Sequence, residues 1–246
     1  MKLNRFFALV ISFLVVIAHA NGQSSSEISV LQEQYQVPLL KGKSSNPFIR
    51  LKLVVSGNKG VAVNGFQFSL KGTTALQDIE QLALYYCKND STANASLDFS
   101  KGQLFGSLSS IKNKITIIGS QQLDPGTHYF WLGCTLAPNA NALHEADANC
   151  TQVNIGDKRL VPAPEGKNIQ QKFAVALRKS NDDNVHTYRI PGITTSKNGT
   201  LLAVYDMRRE SSRDLQGHMD IGLSRSLDGG NTWLPMQVAI DMKEWG

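Results

Sequence analysis

The sequence predicts an all-β protein in which an N-terminal β-sandwich is followed by a second β-rich unit arranged like a propeller blade. Three observations lead there. Between residues 28 and 160, short apolar runs are separated by Gly, Asn, Asp and Pro, the punctuation of strands joined by turns. The segment VPAPEGKNIQQK, residues 161–172, holds two prolines, a glycine and few apolar side chains, and reads as a linker. From residue 173 four strand-like runs follow at close spacing with tight turns between them, the pattern of a propeller blade.

The first twenty residues, MKLNRFFALVISFLVVIAHA, stand apart from this reading. A short basic start (Lys2, Arg5), an apolar run and small residues at Ala18 and Ala20 predict a secretory signal. The apolar run from Phe6 to Ala18 is only 13 residues long, short of the roughly 20 needed to span a bilayer. The mature protein is therefore expected to be exported to the periplasm or the extracellular space, without stable membrane insertion.

In the sandwich segment the expected strands are FIRLKLVVSG, VAVNGFQFSL, QLALYYC, KITIIGS and HYFWLGCTL. Alternation is clearest through Val61, Val63, Phe66 and Phe68 once a kink at Gly65 is allowed. LDPGTHYFWLG is a Pro-Gly turn feeding an aromatic strand. About 130 residues suffice for one buried core. Tyr129, Phe130 and Trp131 within it suit either core packing or the face of a non-catalytic glycan-binding module.

The second unit, residues 173–246, begins with KFAVALRKS, YRIPGITTS, GTLLAVYDM and DIGLSRS. It is too short for two blades of about 40–50 residues, and a closed propeller needs at least about four. The chain is thus expected to stop inside its second domain.

Charge and cysteines exclude several classes. Without residues 1–20, which hold two basic residues and no acid, the formal charge falls from +5 to +3. Scattered lysines and arginines of that balance give no nucleic-acid footprint. Cys87, Cys134 and Cys150 allow one disulfide with a thiol left over, Cys134 and Cys150 being nearest in sequence, or three small buried side chains. The five histidines are dispersed and neither CxxC nor HxxxH spacing occurs, so no metal site is expected.

Three stretches stand out, one structural and two that carry charge. In SLDGGNTW, Ser226, Asp228, Gly230, Thr232 and Trp233 fit the pattern S-x-D-x-G-x-T-W, the Asp box. Its Asp accepts backbone N–H bonds while its glycines allow positive φ. This is a structural turn rather than a site. In HTYRIPGI, Arg189 precedes Ile-Pro, and YDMRRESSRD then crowds Arg208, Arg209 and Arg213 around carboxylates where a strand ends.

With Arg-Ile-Pro upstream of an Asp box, the chain resembles the bacterial exo-sialidases (neuraminidases) of glycoside hydrolase family 33. Residues 173–246 carry the resemblance. Residues 28–160 are more loosely similar to the sandwich domain preceding the propeller in sialidases of Bacteroidetes-type bacteria. The resemblance implies a six-bladed β-propeller, here truncated, and hydrolysis of terminal α-linked sialic acids from glycoproteins, glycolipids and oligosaccharides without metal or organic cofactor.

Carried onto matching positions, Arg189 looks like the first of three arginines that clamp the sialic acid carboxylate, in keeping with the bidentate geometry of guanidinium. Asp214 matches the general acid/base. Arg208, six residues earlier, resembles the substrate-contacting arginine, and Arg209 is its rival if the loop is one residue shorter. Asp206 is expected to orient Arg208 or cap a turn, Asp220 to make a structural hydrogen bond, and His218 to belong to the loop.

The family's tyrosine nucleophile, its glutamate and two further arginines match nothing in this chain. Tyr188 and Tyr205 lie in other motifs. The chain alone is accordingly expected to be inactive, and sialylated glycans are the expected partners of the complete enzyme.

Overall fold

The computed structural model describes residues 27–88, 99–214 and 217–243; the expected export segment lies outside them. Ten strands form the first part of the chain: β1 (Glu27–Glu33), β2 (Leu39–Lys41), β3 (Asn46–Ser56), β4 (Val61–Ser69), β5 (Ile79–Cys87), β6 (Gln103–Leu108), β7 (Lys114–Leu123), β8 (Gly126–Leu136), β9 (Glu145–Ala146) and β10 (Asn149–Ile155). Seven follow: β11 (Lys158–Leu160), β12 (Ala163–Glu165), β13 (Gln171–Val175), β14 (Thr187–Thr195), β15 (Leu201–Arg208), β16 (Met219–Ser226) and β17 (Gln237–Ile240). Among the described residues the only helical segments are three short 3-10 turns.

Side chains alternate across a strand, and here the alternation builds one core between two sheets. The six-stranded sheet, ordered β12-β1-β3-β8-β5-β6, contributes Leu51, Leu53, Leu84, Phe130 and Leu132. The four-stranded sheet, ordered β11-β10-β4-β7, contributes Val63, Phe66, Phe68, Ile117 and Val153. Phe66 and Phe130 meet across the gap with ring centroids 4.8 Å apart, and Phe105 of β6 sets its edge against both. Each such fully buried side chain is worth about 1.5–3 kcal/mol in transfer from water. The expected kink is present, as a register shift between Val63 and Gly65 in the β4–β7 ladder.

The outer face of the six-stranded sheet carries a second aromatic layer. Trp131 is fully buried between Tyr35 and Phe99, with ring centroids 5.4 and 5.3 Å away. The guanidinium of Arg50 lies 5.4 Å from the Tyr129 ring. Phe130 and Trp131 are thus packing residues, and of the three aromatics only Tyr129 keeps an accessible edge. Cys87, Cys134 and Cys150 are buried and none is in a disulfide, so the disulfide alternative is not realised. Desolvation pushes the thiols of Cys134 and Cys150 up, that of Cys150 to about 12.

Two segments differ from the reading of the sequence. The proline-rich stretch 161–172 is stitched to the first unit: β12 pairs in parallel with β1, and the buried Gln171 amide donates to the carbonyls of Val37 and Pro47 at 2.9 Å. Pro164 fits the edge strand β12, where a missing N–H on the outer side leaves no ladder bond unmade. Residues Gln171–Val175, divided above between the linker (to 172) and the second unit (from 173), pair instead with β2 and β9 in a three-stranded sheet. Phe173 explains this, because its ring is buried in the main core.

The remaining sheet is an antiparallel meander, β14-β15-β16-β17. Its fourth strand is β17, not the run beginning at residue 172. One face of β15 carries Tyr205 and Met207, which pack with Val185, Leu177, Tyr188 and Met236. The opposite face carries Asp206 and Arg208. The two parts of the chain touch where the Asn231 side-chain carbonyl accepts the backbone N–H of Ala142 at 2.7 Å.

Candidate functional site

Three sequence-predicted residues converge at the end of the meander. Arg189 on β14 lies opposite Asp206 of β15 in the ladder, and Arg208 is the last residue of β15. Just after Arg189 the ladder breaks: register shifts between Arg189 and Gly192, and Ile190 takes φ +50°. A β-branched residue in that region is strained by about 1–3 kcal/mol. Pro191 cannot donate to the ladder in any case. The break sits beside the Arg189 side chain.

Asp214, in the loop after β15, places Oδ1 2.5 Å from Nη2 of Arg208 and 3.2 Å from Nη1 of Arg189. Neither Arg213 nor Arg209 is its partner. Arg208 is tied down further. Its Nη1 donates to the carbonyls of Ser212 at 3.0 Å and Arg213 at 2.7 Å, and its Nη2 donates to Oδ2 of Asp206 at 3.1 Å. Arg189 also donates to the Ser212 carbonyl, at 3.2 Å. The loop is therefore folded around Arg208.

Exposure separates the roles. The Arg208 side chain is 6% exposed, whereas those of Arg189 and Asp214 are 40% and 61% exposed. The hydrogen bond from Arg208, assisted by the charges of both arginines and opposed by partial desolvation, holds the Asp214 carboxyl below its ordinary range. Burial works against the Arg208 charge, but hydrogen bonds to Asp206 and Asp214 overcome it and raise the guanidinium's pKa. Arg189 also borders an apolar cleft of about 510 Å³, lined by Tyr188, Ile193, Tyr205 and Trp233 among others.

Arg209 goes elsewhere. It meets Asp220 on β16, Nε at 2.8 Å and Nη2 at 2.7 Å from Oδ2, while the other oxygen accepts the N–H of Met242 at 3.1 Å. Burial raises the Asp220 pKa, but these bonds and the Arg209 charge outweigh it and leave the pKa lowered. His218 and Asp241 stand close to Asp220. Arg209 already supplies the positive charge that this carboxylate pairs with. Asp220 thus has the structural role expected of it.

The turn at residues 226–233 is closed by its own side chains. Asp228 Oδ1 accepts from Ser226 Oγ at 2.8 Å and from the N–H of Thr232 at 2.9 Å, and Oδ2 accepts from Thr232 Oγ1 at 2.6 Å. These bonds lower the Asp228 pKa to about 2. Gly229 and Gly230 take φ of +72° and +98°, and Trp233 Nε1 donates to the Gly230 carbonyl at 3.2 Å.

Two features escape a reading of the sequence. The Ser212 carbonyl, which both arginines share, is a backbone group with no compositional signal. Asn231 is an ordinary turn residue whose contact with Ala142 depends on how the two units meet.

Comparisons with known proteins identify the family. The family described as the N-terminal domain of BNR-repeat neuraminidase matches residues 26–159, more than half of the chain. A sialidase of Bacteroides fragilis (strain YCH46) is 31% identical over 242 residues, covering 89% of this chain and 44% of the relative. A sialidase of Micromonospora viridifaciens is 37% identical over 103 residues, 42% of this chain and 15% of the relative. The solved structure of Hadza microbial sialidase Hz136 superposes with a TM-score of 0.75 at 26% identity, covering 86% of this chain and 44% of that one. The chain spans less than half the length of these relatives. It carries the N-terminal domain of a BNR-repeat neuraminidase, is homologous to bacterial sialidases over most of its length, and belongs to that family.

Proposed function

We propose that this protein is an exo-α-sialidase that releases terminal α-linked sialic acids from glycoproteins, glycolipids and oligosaccharides. The observation that carries this reading is the meeting of Arg189, Arg208 and Asp214 at one point, from two adjacent strands and the loop after them. Two guanidinium groups suit a carboxylated sugar, and a carboxyl beside them suits proton transfer to the departing glycosidic oxygen.

In this reading Asp214 is the general acid/base and Arg189 and Arg208 bind substrate. Arg209, paired with Asp220, supports the strand that presents them. The meander β14–β17 is the first blade of a six-bladed β-propeller and the turn 226–233 is its Asp box. The exposed Ile193, Val238 and Ile240 are the surfaces a neighbouring blade covers. Residues 1–20 direct export, and sialylated glycans are the partners.

The full-length protein tests this with two substrates. Asp214→Ala is expected to slow hydrolysis of natural sialosides by roughly 10²–10⁴-fold. It is expected to slow a fluorogenic sialoside, whose leaving group needs no proton, far less. Equal losses on both would remove Asp214 from the acid role, and no turnover of either by the unaltered protein would refute the activity.

A further inference from the structure

Arg189 stands on a strained piece of backbone. Ile190 takes φ +50°, and the ladder with β15 is broken between Arg189 and Gly192. A β-branched residue is seldom found in that region, and a following proline narrows its conformations further. Such backbone persists only where its surroundings impose it. Ile190 and Ile193 are both exposed, so burial of neither holds the strand there. The anchor lies upstream.

Tyr188 supplies it. Its side chain points to the face opposite that of Arg189, where its ring meets Tyr205 edge to face with centroids 5.4 Å apart. Its hydroxyl reaches the turn at residues 181–185 and shares its proton between the carbonyl of Asp182 at 2.9 Å and Oδ2 of Asp183 at 3.1 Å. The same Asp183 oxygen lies 3.2 Å from Nε of Arg178. Burial and the hydrogen bond to Asp183 push the Tyr188 pKa up, which keeps the hydroxyl a donor. The turn is itself seated. Val185 is fully buried and donates its N–H to the Asp182 carbonyl at 3.0 Å. Asn181, Asp183 and Asn184 take φ of +73°, +53° and +58°, a region that Asn and Asp tolerate better than most side chains.

We propose that Asp183 is a positioning residue for Arg189: with the Asp182 carbonyl it grips the Tyr188 hydroxyl, and so fixes the strained backbone from which Arg189 meets the carboxylate of a sialylated substrate. The proposal rests on the sialidase reading above.

The Arg189 side chain needs such support. It is 40% exposed, and its contacts with the Ser212 carbonyl and with Asp214 are both 3.2 Å long, at the far end of the hydrogen-bond range. Its direction therefore depends on where its backbone is held. Bidentate pairing with a carboxylate is geometrically demanding, and backbone fixed before the substrate arrives lowers the ordering cost of binding. An arginine that holds the substrate equally in the ground and transition states acts on KM and leaves kcat unchanged.

Steady-state kinetics of the full-length protein on a fluorogenic sialoside test this, with Tyr188→Phe, which deletes only the hydroxyl, Asp183→Ala and the double variant. Each single change is expected to raise KM about fivefold, the worth of one hydrogen bond, with kcat within about twofold of the wild type. The double variant is expected to match Tyr188→Phe, since both changes remove the same contact. Asp183→Asn, which keeps an acceptor oxygen, is expected to recover most of the loss. Affinity for free sialic acid, measured by calorimetry, should fall by the same factor as KM rises.

Unchanged KM in Tyr188→Phe overturns the proposal, even where the melting temperature falls, because the turn is then merely structural. A lower kcat with KM intact, or single losses that multiply in the double variant, overturns it too. All three outcomes leave the sialidase reading standing. No turnover by the unaltered protein overturns the reading and the proposal together. Tyr188→Phe keeps the ring packed on Tyr205, and it decides alone if Asp183→Ala does not fold.

Discussion

Arg209 holds the buried Asp220 through two nitrogens, at 2.8 and 2.7 Å from one oxygen, while its neighbour Arg208 reaches Asp214 at 2.5 Å. Adjacent residues at a strand end project to opposite sides, so two arginines that look interchangeable in the sequence have different partners. Arg209→Ala strands a carboxylate that is 2% exposed. Loss of one partner of a buried pair costs about 3 kcal/mol. A drop of that size in urea-denaturation stability is expected, with a smaller one for Asp220→Asn. Unchanged stability would show that water compensates Asp220.

Asp206 is a positioning residue for Arg208. Asp206→Ala removes one of the two carboxylates on Nη2, leaving Arg208 to lean on Asp214 alone. A charged hydrogen bond contributes about 1.5–3 kcal/mol, and a loss of 1.4 kcal/mol is tenfold. A fall of about tenfold in sialidase kcat/KM is expected, together with a downward shift of the basic limb of the pH profile, which is set by an acid that must hold its proton. Asp206→Asn, which keeps an acceptor, should recover part of it. A loss of stability without any change in the pH profile would make Asp206 merely structural.

The turn at residues 226–233 should show a defined acid sensitivity. The Asp228 pKa is lowered to about 2 in the folded state, below the unfolded value of about 3.9. Its contribution is therefore fully present above about pH 4, and is lost as pH falls towards the folded value. The difference in melting temperature between wild type and Asp228→Asn is expected to be constant above pH 5 and to shrink between about pH 4 and pH 2. A pH-independent difference would mean that Asp228 ionisation does not stabilise the turn.

Phe66 sits at the centre of the main core, against Phe130 at 4.8 Å and Phe105 at 5.3 Å between ring centroids. Phe66→Ala is expected to cost about 3–5 kcal/mol. Both sheets contribute to this core, so their strands should lose protection from hydrogen exchange together. Loss confined to β4 and β7 would show that the two sheets fold independently.

Much of this was legible before the structure. Period-two apolar runs bounded by Gly, Pro and Asn marked five strands of the first unit, because burying one face of a sheet writes itself directly into alternation. Strands β1, β6 and β10 were missed, as were the two- and three-residue strands β2, β9, β11 and β12. In β1 and β6 few residues are buried, and in β10 the apolar positions are interrupted by polar ones. The order Arg189, Arg208, Asp214 was readable as a motif. The partners of those residues were not, since Arg189 and Asp214 lie 25 residues apart and meet only through the pairing of β14 with β15.

What the sequence determined by itself was local: all-β character, the turn chemistry of residues 226–233 and the short list of charged side chains at the end of β15. Each depends on neighbours within a few residues, through backbone conformation and strand periodicity. Tertiary structure decided the rest. Phe173 drew residues 171–175 into the first unit because its ring had a core to enter. Arg208 was separated from Arg209 because the buried Asp220 waits on β16. Asp214 came to rest between two arginines because charge pairing in a folded loop depends on distance in space, which strand pairing sets and chain order does not.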